Sequence, residues 1–251
     1  MFSVQNISFS YGKHPALEDI SLELTPGLLW GVICPNGCGK TTLLRLLAGL
    51  EKPRQGQILL EGRAQSAFSW REYAQKVALL PQSRAVPALT VAELAALGRY
   101  PYGGLSHAPS EADRAAVENA LRAAEVAHLA RRDLRSLSGG QRQRAFLAMA
   151  LAQDTPWLLL DEPTTWLDLS SRYAVLSLLR RLAEEGKGVV AVLHDLPMAL
   201  ERCDRLAVLA DGRLQGVGSP EELVQSGLPD RVFGLRCVKT AEGWVCRPNE
   251  N

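Results

Sequence analysis

Residues 28–42 read Leu-Leu-Trp-Gly-Val-Ile-Cys-Pro-Asn-Gly-Cys-Gly-Lys-Thr-Thr. The apolar run over 28–33 predicts a buried strand, and the segment after it leads into a predicted helix over 41–50, with Gly49 near the helix end. A strand, a glycine-containing loop and a helix in this order form the setting that a phosphate-binding loop needs. This stretch therefore predicts an α/β protein that binds a phosphorylated ligand.

Strand and helix patterns alternate through the rest of the chain. Alternating apolar residues between Val4 and Leu24 predict two antiparallel strands at the N-terminus. Further short strands are predicted over 57–60, 77–80, 157–160 and 188–193, and helices over 141–153 and 171–185. Strands that alternate with helices predict a largely parallel sheet. Residues 206–217 around Ala210-Asp211-Gly212 indicate a hairpin.

The segment from about residue 84 to 136 differs in composition, since Ala, Leu, Arg and Glu dominate it and β-branched residues become rare. Within it, Ser110-Glu111-Ala112-Asp113 is typical of a helix start with a carboxylate three residues after the cap. We therefore expect a core built from 1–83 and 137–225, a helical insertion over 84–136, and a tail over 226–251. The tail can form a β-hairpin that turns at Ala241-Glu242.

The loop between the predicted strand and helix carries groups that can bind phosphate and Mg²⁺. Backbone N–H groups from Asn36 to Thr42 would wrap the β-phosphate, aided by the positive end of the helix. Lys40 would reach the β- and γ-phosphates, and the hydroxyl of Thr41 would ligate Mg²⁺, which prefers oxygen. The pattern GxxxxGK[ST] is broken at Cys34, where glycine is expected. A positive φ at this position would cost a cysteine about 1–3 kcal/mol, whereas a negative φ would cost little.

Two more motifs narrow the prediction to one class of phosphate-binding protein. Residues 137–144 read Leu-Ser-Gly-Gly-Gln-Arg-Gln-Arg, and Leu-Leu-Leu-Asp-Glu-Pro occupies 158–163. The combination resembles the ATP-binding cassette of ABC transporters, whose motifs occur here once and in order over residues 11–194. The resemblance implies a P-loop NTPase (RecA-like) core with an N-terminal antiparallel β-subdomain and an inserted α-helical subdomain.

The resemblance also implies ATP and Mg²⁺ as cofactors and gives roles in hydrolysis. Asp161 would hold Mg²⁺ with Thr41 and Gln82, and Gln82 would also touch the attacking water. Glu162 would polarise that water, and His194 would bond the γ-phosphate. The residues implied to bind the nucleotide are Tyr11, stacked on the adenine, and Asn36, Gly37, Cys38, Gly39, Lys40, Thr41 and Thr42.

A second copy of the chain is implied as well, because one chain cannot bring two helix starts to one γ-phosphate while two chains head to tail can. The residues that would cap the nucleotide of the partner are Ser138, Gly139, Gly140 and Gln141. Asp168 would also meet the partner, beside Trp166, which is larger than the residue expected there. This homodimer would close on ATP and open after hydrolysis.

Finer similarities over 91–102, 148–153 and 161–168 point to the metal-chelate importer group, which takes up iron-siderophores, haem and cobalamin. The implied partner is an integral membrane permease, contacted through the helical insertion, near 99–102, and through the loop at Gln82. The cargo itself would not touch this subunit. An exporter ATPase, an importer subunit for another substrate, and a soluble or catalytically degenerate ABC protein stay open as alternatives.

The bulk composition limits the partners. Lys plus Arg number 28 against 27 Asp plus Glu, so the charge balance gives no case for nucleic acid. No stretch approaches the roughly 18 apolar residues needed to span a bilayer, and the first ten residues lack the pattern of a signal peptide. We therefore expect a cytoplasmic protein that lies peripherally on the inner face of the cell membrane.

The five cysteines match no zinc-site spacing, and in a reducing cytosol the default expectation is free thiols. Cys34 and Cys38 are then two small residues that fill space. The alternative is a redox hypothesis. A thiol near a helix N-terminus has a lowered pKa, and an oxidation that links Cys34 to Cys38 would distort the loop and stop ATP binding. Cys237 and Cys246 would face each other in the tail hairpin, where a disulfide is an alternative.

Overall fold

The computed structural model describes residues 1–35, 37–82, 85–103 and 108–249. In chain order its strands are β1 (Phe2–Tyr11), β2 (His14–Leu24), β3 (Leu29–Ile33), β4 (Gln55–Leu60), β5 (Arg63–Ala64), β6 (Val77–Leu80), β7 (Trp157–Asp161), β8 (Gly188–Leu193), β9 (Arg205–Ala210), β10 (Arg213–Gly218), β11 (Leu235–Thr240) and β12 (Gly243–Pro248). Its helices are α1 (Lys40–Leu47), α2 (Trp70–Ala74), α3 (Val91–Leu97), α4 (Tyr100–Gly103), α5 (Glu111–Ala123), α6 (Gly139–Ala152), α7 (Leu169–Glu184), α8 (Leu196–Arg202), α9 (Pro220–Gln225) and α10 (Leu228–Phe233).

The central sheet has the strand order β10-β9-β3-β8-β7-β6. The pairs from β9 through β6 are parallel, and only the β9–β10 pair at one edge is antiparallel. Strands β3, β7 and β8 are buried along their whole length, as expected of strands covered on both faces. The predicted α/β fold with a largely parallel sheet is confirmed.

Side chains alternate between the two faces of this sheet. Trp30 and Val32 of β3 join one apolar cluster, which also holds the inner residues of helix α1. Leu29 and Ile33 join a second cluster on the opposite face, where α6, α7 and α8 pack. The period of two along a strand produces this division.

A second sheet, in the order β2-β1-β4-β5, covers the face that carries α1. It is antiparallel throughout, and the register Val4↔Leu22 and Ile7↔Ile20 confirms the two predicted N-terminal strands. The hairpin of β9 and β10 turns at Asp211 and Gly212, which both have positive φ, as a tight two-residue turn requires. The tail pairs β11 with β12 antiparallel, with its turn between Thr240 and Gly243.

The segment predicted as a helical insertion contains α3, α4 and α5 among its described residues. Helices α3 and α5 pack against α6, so the insertion shares the second apolar cluster. At Gly98 a Cβ atom would lie 2.2 Å from the carbonyl oxygen of Met149 on α6, so only glycine permits this approach. The boundaries of the insertion and of the tail stay predictions. Among the described helices, none combines the length and the apolarity that a bilayer crossing demands.

Helix α5 begins with the predicted capping arrangement. The Ser110 hydroxyl accepts from the backbone N–H of Asp113 at 3.1 Å, and the Asp113 carboxylate accepts from the backbone N–H of Ser110 at 3.0 Å. Two of the four unpaired N–H groups at this helix start are thereby satisfied. Asp113 also pairs with Arg99 at 2.8 Å, which ties the helix start to the end of α3.

We expect Ser110→Ala to destabilise the protein by about 1 kcal/mol, because the cap at the start of α5 is lost. In a chain of this size that corresponds to a fall in Tm of about 2–4 °C, measurable by differential scanning calorimetry. Ser110→Asn is the matched control, since asparagine also caps helices well and should keep Tm near that of the unmodified protein. An equal loss in both variants would contradict the capping role.

Candidate active site

The loop between β3 and α1 carries the predicted phosphate-binding residues. Gly37 and Gly39 have φ values of 83° and 98°, a conformation that glycine adopts without strain. At Gly39 a Cβ would lie 2.6 Å from the carbonyl oxygen of Ala16, so this position excludes any side chain. Cys34 does not have a left-handed backbone, so the cysteine in place of the expected glycine carries no backbone penalty. The predicted Asn36 lies outside the described residues.

Lys40 is the first residue of α1 and is only 8% exposed. Its ammonium donates to the carbonyl oxygen of Cys34 at 3.1 Å and lies 3.2 Å from Nδ1 of His194. Burial lowers the pKa of Lys40 from its ordinary value, and the nearby carboxylates of Glu162 and Asp161 oppose that shift. A partly desolvated cation at this position is suited to bind phosphate oxygens.

Asp161 ends β7 and is 1% exposed. Its Oδ2 accepts from the Thr41 hydroxyl at 2.7 Å, while its Oδ1 has no hydrogen-bond partner among the described residues. Burial raises the pKa of Asp161, and the hydrogen bond from Thr41 offsets part of that rise. A buried carboxylate oxygen without a partner is costly unless a cation completes the site.

The donor set fits Mg²⁺, which takes few protein oxygens and keeps water and phosphate ligands. Thr41 and Asp161 present a hydroxyl and a carboxylate side by side. No group of three His, Cys, Asp or Glu side chains within the described ranges could hold a metal, so a cage made of protein alone is not formed there. The arrangement suits a cation shared with a phosphorylated ligand.

Glu162 follows directly in the turn after β7, with a positive φ of 53° and 9% exposure. One carboxylate oxygen contacts Nε2 of His194, and the other accepts from the Thr165 hydroxyl at 3.1 Å. Since Lys40 donates to Nδ1 of His194, the proton of the imidazole lies on Nε2, facing Glu162. The three side chains form a chain of polar contacts along the carboxyl ends of β8 and β7.

Lys40, Thr41, Glu162 and His194 line one cleft of about 440 Å³. Predicted residues that line it are Tyr11, Gly37, Cys38, Gly39, Lys40, Thr41, Thr42, Gln82, Glu162 and His194. A larger cavity of about 620 Å³ lies between α1, α2 and β4, but the buried charges converge on the smaller cleft, which we take as the site. Tyr11 is 48% exposed at the end of β1, so one ring face is available for stacking.

The four predicted capping residues lie outside the lining of that cleft, at the start of α6. Ser138 caps this helix through a reciprocal pair of hydrogen bonds with Gln141, at 3.3 and 3.1 Å. Asp168 caps α7 through the backbone N–H of Ser171 at 2.8 Å. The structure thus brings the cleft residues together within one chain and leaves 138–141 and Asp168 apart from them.

Two residues at the site were missed by the sequence analysis. His14 lines the cleft beside Tyr11; its position just after the turn that follows Tyr11 was the available signal. Gln143 is buried in α6, and its amide donates to the carbonyl oxygens of Glu162 at 3.3 Å and Pro163 at 3.0 Å. No local pattern indicates this bond, because its acceptors lie about twenty residues away in the chain.

The aromatic residue noted beside Asp168 is unusually placed. Trp166 has a positive φ of 68° and is 79% exposed, and the neighbouring Leu169 is 63% exposed. The position of a Cβ on Gly139 would lie 3.4 Å from the Cβ of Trp166. The two segments that were predicted to meet a partner therefore adjoin each other on one surface.

Comparisons with known proteins agree with this geometry. The chain is 42% identical over 236 residues to the ferric enterobactin transport ATP-binding protein FepC of Escherichia coli K12, covering 93% of this chain and 87% of that protein. It is 43% identical to the petrobactin import ATP-binding protein FpuD of Bacillus anthracis, over 93% and 86% of the two chains. It is 41% identical to the hemin import ATP-binding protein HmuV of Pseudomonas aeruginosa, over 95% and 94%.

Solved structures give the same relationship. The fold superimposes on the dimeric structure of MJ0796, a bacterial ABC transporter cassette, with a TM-score of 0.78 and 30% identity, covering 88% of this chain and 99% of that one. The family model of the ABC transporter matches residues 17–165, which include the phosphate loop, the cap of α6 and the two carboxylates after β7. The chain is a member of the ABC transporter family, built on the ATP-binding cassette of these ATPases.

Proposed function

We propose that this chain is the ATP-hydrolysing subunit of an importer that takes up a metal chelate of the iron-siderophore, haem or cobalamin type. The observation that carries the ATPase is that Lys40, Thr41, Glu162 and His194 line one cleft. The buried Asp161 joins them through its hydrogen bond from Thr41. The substrate class rests on the relatives, three of which are named for ferric enterobactin, petrobactin and hemin transport.

The phosphates of ATP would lie against the loop and the N-terminus of α1, where backbone N–H groups and the helix dipole favour negative charge. Lys40 would exchange its contact with His194 for phosphate oxygens. Tyr11 would stack on the adenine, which needs a flat ring and no specific hydrogen bonds. Gly37, Cys38, Gly39 and Thr42 would supply the remaining contacts from the loop, together with Asn36.

Thr41 and Asp161 would hold Mg²⁺, with Gln82 at the opposite side of the cleft. The bound ion would neutralise charge on the phosphates as the bond breaks. On the protein side, the ion would relieve the cost of the buried, half-paired carboxylate of Asp161. Thr41 would turn its hydroxyl proton away from Asp161, since the oxygen lone pairs must face the cation.

Glu162 would orient and polarise the water that attacks the γ-phosphate. Thr165 and His194 contact the two carboxylate oxygens of Glu162, which fixes the plane of the carboxylate. His194 would then turn its Nε2–H from Glu162 toward the γ-phosphate, to which it would donate a hydrogen bond. Such prearranged groups lower the reorganisation needed during the reaction.

A second copy would complete the site. Its Ser138, Gly139, Gly140 and Gln141 would cap the γ-phosphate, and Asp168 would contact the opposite loop. In support, these residues lie apart from their own cleft, and the structural neighbour MJ0796 is dimeric. The exposed Trp166 would then be covered by the partner, which accounts for a large apolar surface that is unfavourable in water.

The permease partner would contact the helical insertion and the loop at Gln82, at the inner face of the cell membrane. Cargo would pass through the permease without touching this chain. The near balance of basic and acidic residues supports a role without nucleic acid. An exporter subunit and an importer subunit for another substrate are the alternatives that the third experiment below separates.

Replacing the buried carboxylate tests the cation site. We expect Asp161→Asn to raise Tm of the ligand-free protein by about 2–4 °C, or about 1 kcal/mol, because a neutral amide costs less to bury than a carboxylate with one unpaired oxygen. The same variant should lose the extra thermal stabilisation that Mg²⁺ adds to ATP. Asp211→Asn, at an exposed left-handed position in the turn between β9 and β10 that asparagine tolerates, should leave both measurements unchanged. A destabilised Asp161→Asn that keeps the Mg²⁺ effect would refute the assignment.

Replacing Glu162 tests the hydrolytic role. Glu162→Gln should lower the steady-state rate of ATP hydrolysis by about 100-fold or more, keep ATP binding, and favour an ATP-bound dimer in size-exclusion chromatography. Glu185→Gln, on the exposed end of α7, should hydrolyse ATP at the normal rate. Normal turnover by Glu162→Gln would overturn the proposed chemistry.

Uptake in cells tests the substrate class. Cells that lack this chain should fail to accumulate at least one radiolabelled ferric siderophore, haem or cobalamin, and the unmodified chain but not Glu162→Gln should restore uptake. Increased accumulation in the absence of the chain would indicate an exporter. Unchanged uptake of all three classes would indicate an importer for another substrate.

A further inference from the structure

The phosphate loop holds two cysteines at its two ends. Cys34 follows the last residue of β3, and Cys38 lies two residues before α1. Their Cα atoms are 6.5 Å apart, and the two side chains form a cross-linked pair. This separation lies within the range that a disulfide spans. The structure therefore differs from the expectation of free thiols at this pair.

Both sulfurs share one polar neighbour. Each Sγ lies 2.9 Å from the carbonyl oxygen of Pro35. As thiols, both can donate to this oxygen, which has two lone pairs. As a disulfide, neither has a hydrogen to donate, so the oxygen faces sulfur lone pairs and loses both bonds. The Pro35 carbonyl is therefore satisfied by this pair only in the reduced state.

The surroundings allow the pair to react. Cys34 and Cys38 are 5% and 7% exposed and pack at the top of the apolar cluster beneath the loop, yet Cys38 also lines the open cleft. Cys38 lies two residues before the N-terminus of α1, and the positive end of a helix favours the thiolate over the thiol. Entry of a small disulfide along the ATP cleft would bring it to Cys38 first.

We propose that Cys34 and Cys38 form a reversible disulfide site in the phosphate loop, and that its oxidation weakens ATP binding. The reacting partner is a small-molecule disulfide of the glutathione class. The inference rests on the proposed function, because the affected ligand is ATP.

The exchange proceeds in two steps. The Cys38 thiolate attacks one sulfur of R–S–S–R, forms a mixed disulfide and releases one R–S⁻, which takes up the proton lost from Cys38. The Cys34 thiolate then attacks the Cys38 sulfur, forms the internal bond and releases the second R–S⁻, which is protonated by the proton from Cys34. The two cysteines are oxidised by two electrons, and R–S–S–R is reduced to two R–SH.

Binding weakens because the disulfide changes the loop that must wrap the phosphates. The cross-link ties Cys38 to Cys34 at the end of β3, so the loop between them loses freedom to adjust its shape around a phosphate group. Gly37, Cys38 and Gly39 line the cleft within or next to this closed ring. Their backbone donors are therefore less able to converge on one phosphate group.

The other cysteines provide internal controls. Cys203 is free and fully buried beneath Gly31, and burial raises the pKa of its thiol far above the ordinary value. Cys237 and Cys246 face each other in the tail hairpin, with sulfurs at bonding distance, and neither lines the ATP cleft. A redox effect on ATP binding through the tail pair is thus not expected.

The test compares ATP affinity in two redox states of the full-length protein. Isothermal titration with Mg-ATP is performed after incubation with oxidised glutathione and again after dithiothreitol, with the cross-link mapped by mass spectrometry of alkylated peptides. We expect the oxidised protein to bind ATP tenfold or more weakly, which corresponds to about 1.4 kcal/mol, and dithiothreitol to restore the affinity. In Cys38→Ser, which lacks the thiol that reacts first, the ratio between the two states should be one, whereas Cys237→Ser should keep the ratio of the unmodified protein.

Each contrary outcome has a separate meaning. Equal affinity in both states, with the Cys34–Cys38 cross-link demonstrated, would overturn the inference and leave the proposed function intact. Failure of the pair to cross-link under excess oxidised glutathione, or the same redox ratio in Cys38→Ser, would also overturn it. Absence of ATP binding in the reduced protein would overturn the proposed function, and the inference with it.

Discussion

The free-energy cost of burying charge determines how the residues of the candidate site are arranged. Lys40, Asp161 and Glu162 are each less than a tenth exposed, within one small region at the edge of the central sheet. An isolated buried charge is strongly disfavoured. Lys40 and the carboxylates compensate one another in part, and His194 bridges between Lys40 and Glu162. The oxygen of Asp161 that has no partner among the described residues leaves this compensation incomplete, and the cation of the proposed function would complete it.

The parallel sheet brings these charged residues together. Parallel strands β3, β8 and β7 lie side by side and end at the same edge, so residues far apart in sequence follow them into one place. The loop of Lys40 follows β3, His194 follows β8, Asp161 is the last residue of β7 and Glu162 comes directly after it. The residues before these strand ends are apolar, and their burial holds the strands in the core.

Much of this could be predicted from the sequence, and the limits have a physical cause. Strand ends, the cap at Ser110 and the cleft residues follow local patterns, because period, capping chemistry and glycine φ preferences act over a few residues. The hydrogen bonds of Gln143 and the joint use of the Pro35 carbonyl by two sulfurs depend on distances that no local pattern specifies. The cysteines illustrate the difference: compartment chemistry favours free thiols, whereas the loop geometry brings Cys34 and Cys38 together.

Helix α6 connects the helical insertion to the turn that follows β7. Its first turn carries the cap of Ser138, its second turn holds the carbonyls of Glu162 and Pro163 through Gln143, and its last turns touch Gly98 with no space for a methyl group. Packed interiors have low compressibility, so a displacement of α3 toward α6 at this contact must also move α6. The insertion and the backbone of Glu162 therefore contact the same rigid helix, so a displacement of α3 would be transmitted along α6 toward the cleft.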